Sequence, residues 1–156
     1  MNKKIRIAVL VSGNGTNLQA LINAQKNKII KSGKIELVIS NNSNAFALKR
    51  AEKSKIPFEI ISKKECKKIE EFEKKLKEIL KSYKIELIVL AGFMSVLSKN
   101  FVKDYPKRII NIHPSLIPSF CGKNFYGIKV HEEAIKRGVK ITGATTHFVN
   151  EIIDGG

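Results

Sequence analysis

Six short, nearly continuous apolar runs are spaced along the chain, and between them the apolar residues recur at helical intervals. The runs are IRIAVLV (Ile5–Val11), IELVIS (Ile35–Ser40), FEIIS (Phe58–Ser62), IELIVLAG (Ile85–Gly92), RIINIH (Arg108–His113) and ITGATTHFV (Ile141–Val149). The stretches NLQALINAQK, ALKRAEKS, the charged run from Lys63 to Tyr83, and VHEEAIKRG carry the helical period. A strand that is apolar at consecutive positions needs cover on both faces, whereas a one-sided sheet alternates apolar and polar residues. The pattern therefore predicts an α/β fold with a mostly parallel sheet and helices on both faces. No repeat, linker or low-complexity tract interrupts the 156 residues, so one domain spanning 1–156 is expected. A domain of that size buries roughly 68–70% of its unfolded surface and needs neither disulfide nor metal to hold it.

That architecture says where to look for chemistry. Ligands of open α/β sheets sit beyond the carboxyl ends of the strands. Four segments qualify, and all four are expected to face one cleft: the turn at Gly13, AGFMSVLS, NIHPSLIPSF and NEIIDGG. The first lies in LVSGNGTNLQ, where Gly13 and Gly15 fit a dinucleotide fingerprint but Leu18 stands in place of its third glycine. VISNNSN, at the end of the next strand, also lacks the acidic residue that would hold a ribose hydroxyl. No Lys-Ser or Lys-Thr pair follows the glycines, which excludes a P-loop. Two readings stand. Backbone amides with Ser12, Thr16 and Asn17 at a helix N-terminus suit a single phosphate monoester; equally, Asn or Thr could cap an ordinary strand-to-helix turn.

Of the three histidines, His131 lies in a helical pattern beside Glu132 and Glu133, and His147 sits between Thr146 and Phe148, where surface and core readings serve. His113 differs, because it ends a strand and Pro114 holds it extended. Asn111, two residues earlier, projects to the same face. An amide that donates to a developing oxyanion then lies beside an imidazole that moves protons near neutral pH. Asp154, followed by Gly155 and Gly156, supplies a carboxylate on a flexible turn. A carboxylate beside an imidazole favours the protonated ring. The alternative is that Asn111 and His113 finish a strand and Asp-Gly marks a turn. Cys121 has nothing in the sequence to position it as a nucleophile. Asn, His and Asp without a nucleophile suggest direct transfer of an acyl-like group to an external amine, with the turn at Gly13 anchoring the acceptor.

The balance of charge is 29 basic residues against 14 acidic, a net charge of +15. Only four of the 29 are Arg, and many Lys have Glu neighbours at helical spacing, so a solvated lysine surface and attraction for anionic ligands are expected rather than nucleic-acid binding. Cys66 and Cys121 lack the paired spacing of a zinc site or a disulfide scaffold. The seven-residue apolar run near the N-terminus is too short for a membrane span, and a cytoplasmic location is the expectation.

The segments VLVSGNGTNLQALI, IVLAGFMSVLS, IINIHPSLIPSF and GATTHFVNEIIDGG, in this order from Ile5 to Gly156, together resemble the phosphoribosylglycinamide formyltransferase family. The combination of the N-terminal turn with NIHPSLIP and HFVNEIIDGG is highly specific. The resemblance implies a Rossmann-like formyltransferase fold and transfer of formyl from 10-formyltetrahydrofolate to the amine of glycinamide ribonucleotide, without metal. It implies that the turn, at Gly15, Thr16 and Asn17, takes the ribose 5-phosphate. Asn111 and His113 would meet the formyl group, with Asp154 polarising His113. Met94, Ser95, Val96 and Leu97 would line the pterin pocket, and Asn150, Glu151, Ile152 and Ile153, up to Asp154, would close over it. Lys67 or Lys68 is the candidate for the folate glutamate tail. The family continues past the Asp154-Gly155-Gly156 turn, so 1–156 is expected to lack its C-terminal strand and helix, with reduced stability and affinity. The longer loop CGKNFYGIKVHEE leaves Lys129 and His131 without an assigned contact. The partners implied are small molecules, with a monomer or homodimer.

Three rivals remain. Formyltetrahydrofolate deformylase uses a similar Asn, His and Asp set, but that family carries a preceding regulatory domain and a second histidine where Pro114 stands. Methionyl-tRNA formyltransferase adds an RNA-binding domain. A non-catalytic module would bind the same ligands without turnover.

Overall fold

The computed structural model describes residues 3–62, 65–66 and 68–156. It divides into two units, one ending at Leu97 and the other spanning Ser98–Gly156.

In the first unit, β1 (Ile5–Val11), α1 (Thr16–Lys26), β2 (Gly33–Ser40), α2 (Phe46–Lys53), β3 (Phe58–Ile60), α3 (Ile69–Ser82) and β4 (Leu87–Leu90) alternate. β1 pairs in parallel with both β2 and β4, and β2 pairs in parallel with β3. This gives the spatial order β3-β2-β1-β4 within the unit. Ala8, Val9, Leu10 and Val11 are fully buried at consecutive positions. Since neighbours on a strand point to opposite faces, both faces of β1 are covered. Ile7, Val9 and Val11 share a core with Leu18 and Ile22 of α1 and Ala47, Leu48 and Ala51 of α2. α3 buries Phe72, Leu76 and Leu80, the i, i+4, i+8 stripe of an amphipathic helix.

The second unit holds α4 (Lys99–Asp104), β5 (Ile109–His113), α5 (Ile128–Lys136) and β6 (Thr145–Phe148). β5 and β6 are antiparallel, with Asn111 opposite His147 and His113 opposite Thr145. α4 is a helix that the apolar period does not announce; Ser98 caps it, its Oγ accepting the Phe101 N–H at 3.1 Å.

Strand ends are shorter than the apolar runs. The Ile85 N–H donates back to the Leu80 carbonyl at 2.9 Å, so this residue closes α3 instead of opening β4. Ile141 to Ala144 precede β6 as irregular chain, and a side chain at Gly143 would meet Leu116 Cδ2 at 2.8 Å. Among the described residues no helix is long and apolar enough to cross a membrane.

Candidate active site

The turn after β1 bears on one of the two readings of LVSGNGTNLQ. α1 starts at Thr16 with Gly15 as its N-cap, in the left-handed region (φ 74°, ψ 32°) and with no side-chain cap. The Asn or Thr cap of an ordinary turn is not formed. The opening amides of α1 therefore keep their donor capacity at the positive end of the helix dipole. Gly13, Thr16 and Asn17 are exposed, while Ser12 and Gly15 are half-buried. Ser12 has a second task, because its Oγ accepts the Met94 N–H at 2.8 Å. That bond fastens the turn to the segment after β4.

In that segment Met94 and Val96 are exposed, Leu97 is half-buried and Ser95 is buried. Asn41 donates to Ser95 Oγ at 2.8 Å, anchoring that side chain inward, while the Met94 N–H bond to Ser12 holds the backbone and the apolar side chains on either side of Ser95 face outward. An apolar edge with a pinned backbone is a suitable wall for a flat heterocycle. Lys68 is exposed at the N-cap of α3. Lys67 lies outside the described residues.

In the second unit His113 lies against Asp154, and Asn111 reaches the same carboxylate only through His147. His113 is buried at the end of β5, its Nδ1 3.5 Å from Asp154 Oδ2. Its Nε2 donates to the Phe120 carbonyl at 2.8 Å. Both ring nitrogens thus face acceptors. Asp154, itself at positive φ (54°), also accepts the Gly122 N–H at 2.9 Å, so its carboxylate joins β5, the following loop and the chain end. The loop carrying it is held by Asn150, whose side chain accepts the Ile152 N–H and donates to the Gly155 carbonyl, both at 2.9 Å. Glu151 pairs with Lys103 at 3.8 Å, while Ile152 and Ile153 are exposed.

His147 is the residue that sequence reasoning left undecided. Its side chain is 5% exposed, its Nε2 lies 3.8 Å from Asp154 Oδ1, and it accepts the Asn111 amide at 3.2 Å. With Nε2 as acceptor the ring is the Nδ1–H tautomer, and one Asn111 hydrogen is fixed. The signal for it was the alternation of THFV against NIH, readable only with the antiparallel register in hand. Cys121 donates its thiol to the Pro118 carbonyl at 3.2 Å, and His131 and Lys129 are exposed on α5. Among the described residues no group of three or more His, Cys, Asp or Glu converges as a metal site.

In the first unit a parallel α/β sheet carries an uncapped turn after β1, and in the second a carboxylate lies beside two imidazoles, one of them bonded to an amide; groups of these kinds serve proteins that transfer a group by orientation, oxyanion stabilisation and proton transfer. The formyl transferase family model matches residues 5–156, and the chain belongs to this family. It is 42% identical over 151 residues to phosphoribosylglycinamide formyltransferase of Haemophilus influenzae, covering 97% of this chain and 68% of that protein. It is 44% identical over 153 residues to the trifunctional purine biosynthetic protein adenosine-3 of Gallus gallus, covering 98% of this chain and spanning only 15% of that protein's length. The solved structure of glycinamide ribonucleotide transformylase 1 from Symbiobacterium toebii matches with a TM-score of 0.89 at 36% identity, over 98% of this chain and 69% of that one. The fold is accordingly the mostly parallel, Rossmann-like α/β fold of these formyltransferases.

Proposed function

We propose that the chain transfers a formyl group from 10-formyltetrahydrofolate to the amine of glycinamide ribonucleotide, a step of purine biosynthesis. The observation that carries the reading is the contact of His113 with Asp154, 3.5 Å apart, on the strand end that also bears Asn111. Relatives at about 40% identity bear the name of this activity.

In this reading the backbone amides of Gly13, Gly15, Thr16 and Asn17, with the Ser12 hydroxyl, hold the ribonucleotide phosphate. In the first unit Met94 to Leu97 offer an apolar edge suited to a pterin, and in the second Asn150 to Ile153 form a loop with exposed apolar side chains suited to the same ligand. The folate contributes an activated formyl carbon. Asn111 donates its second amide hydrogen to the formyl oxygen as negative charge develops there. His113, held by Asp154, exchanges its Phe120 carbonyl bond for the same oxygen. A bond forms from the amine to the formyl carbon and the bond to the folate nitrogen breaks; the amine loses one proton and the leaving nitrogen gains one, with His113 and Asp154 the titratable pair nearest that exchange. The +15 charge attracts the anionic substrates. The partners are thus small molecules in the cytoplasm, with no role for nucleic acid, and the protein works as a monomer or homodimer.

The test is turnover of 10-formyltetrahydrofolate with and without glycinamide ribonucleotide. Turnover that requires the ribonucleotide is expected. Turnover without it would instead make the protein a deformylase, and none in either case would leave a binding module. His113→Ala is expected to lower kcat by about 10²–10³.

A further inference from the structure

Three consecutive carbonyls of the anion turn are taken up by one neighbouring segment. Ser12 O accepts from Asn42 Nδ2 at 3.2 Å, Gly13 O from the Ala47 N–H at 3.1 Å, and Asn14 O from Arg50 Nε at 2.8 Å. Arg50 adds a second bond to the same residue, Nη2 to Asn14 Oδ1 at 3.1 Å, and reaches α1 through Nη1 to Gln19 Oε1 at 3.2 Å. Its guanidinium carbon lies 5.0 Å from the centre of the Phe46 ring, which limits its rotation. Gly15 closes the arrangement, for its position is so near α2 that a Cβ there would stand 2.6 Å from Ala47 Cβ.

A trans peptide is planar, so its N–H points away from its own C=O. With the carbonyls of Ser12, Gly13 and Asn14 all directed at the segment from Asn42 to Arg50, the N–H groups of Gly13, Asn14 and Gly15 are directed to the opposite side. That is the side on which donors must gather if the turn is to hold an anion. A peptide flip at Asn14 would replace a donor with a carbonyl oxygen, repelling a phosphate. The Asn14 peptide is the one that Arg50 holds, with a charged donor that is stronger than a neutral one.

We propose that Arg50 is a positioning residue for the substrate phosphate: by gripping Asn14 from α2 it sets the donor polarity of the turn. This rests on the phosphate reading given above and goes beyond it, since Arg50 is outside the turn and contacts it from behind. It also predicts selectivity. The turn should favour a tetrahedral oxyanion in any ligand, inorganic phosphate included, and Arg50 should matter to that moiety alone.

The experiment measures kcat and both KM values for Arg50→Met, Arg50→Lys and Thr16→Ala, with inorganic phosphate as a competitive inhibitor. Arg50→Met is expected to raise the ribonucleotide KM and the phosphate inhibition constant together, by roughly 10- to 100-fold, with kcat and the folate KM within about twofold. Arg50→Lys keeps the charge but lacks the fork, and most of the rise is expected to persist. If Lys restores the parent KM, charge alone is at work and the positioning role is overturned. If Thr16→Ala raises the KM while Arg50→Met does not, the Arg50 role is wrong and the phosphate reading survives. If neither substitution moves the KM and phosphate does not compete in the parent, the phosphate reading itself has failed. Should Arg50→Met melt below the assay temperature, Arg50→Lys carries the test, and a parent ribonucleotide KM there refutes the clamp.

Discussion

Replacing Gly15 with alanine tests the turn after β1, the proposed phosphate site, through stability as well as through binding. Two separate costs meet at this position. Its φ of +74° is one that an L side chain adopts at a cost of about 1–2 kcal/mol. A Cβ there would also lie 2.6 Å from Ala47 Cβ and 2.8 Å from Ala47 Cα, and because the second atom is backbone, no side-chain rotation relieves the overlap. Overpacking of this kind costs about 1–3 kcal/mol. The sum, roughly 2–5 kcal/mol, corresponds to a fall in Tm of about 4–20 °C for a chain of this length. Two other glycines separate the terms. Gly92 has φ +73° but nothing within 4 Å of a Cβ, so Gly92→Ala carries the conformational cost alone, about 1–2 kcal/mol. Gly13 has neither feature and Gly13→Ala should stay within about 0.5 kcal/mol of the parent. Thermal melts followed by far-UV circular dichroism should rank the three as Gly13, Gly92, Gly15 in increasing damage. Gly15→Ala melting together with Gly13→Ala would refute the close approach of the turn to α2, and with it the clamp that gives the turn its polarity.

His147→Ala should lower kcat roughly tenfold by releasing the Asn111 amide; in an Asn111→Ala background the same change should do little more, and full additivity in this double-mutant cycle would sink the coupling. Glu86 accepts the Arg6 N–H at 3.1 Å and the Lys3 ammonium at 3.2 Å, and chiefly the first of these holds its carboxyl below the ordinary glutamate value. A depressed folded value means that the stabilisation is present above the unfolded value, about 4.3, and is lost as pH falls through the folded one. The Tm gap between parent and Glu86→Gln should therefore close on acidification, and a gap that is constant with pH would contradict the assignment. Phe72 is 1% exposed, and Phe72→Ala should cost about 3–5 kcal/mol, read as a lower urea midpoint at unchanged slope.

Burial on both faces is written locally, which is why the strands were legible. IRIAVLV can only be a covered strand, and Ile7 to Val11 are buried as its continuous apolarity requires. Strand ends were less legible because an apolar residue at a helix exit looks the same as one at a strand entrance; Ile85 is decided by the bond from its N–H to Leu80 O. α4 escaped notice for a related reason. Six residues give too little period to recognise, and its start depends on the Ser98 cap.

The same distinction governs the site. Asn111 and His113 could be read together because a strand's two-residue repeat sets them on one face, and Pro114 marks the strand's end. His147 could not, since its partnership with Asn111 is created by the β5 and β6 register, and a slip of one residue would turn His147 to the other face. Arg50 was hidden differently. In the linear pattern it is one more cation on an amphipathic helix, and only the approach of α2 to Gly15 makes it the donor for Asn14. Residues whose chemistry is set by neighbours in the chain announce themselves in the sequence, whereas those that orient them from another element do not. His147 and Arg50 belong to the second kind. A substitution at either should therefore spare the reacting groups yet change how they are aimed, His147 through kcat and Arg50 through the ribonucleotide KM.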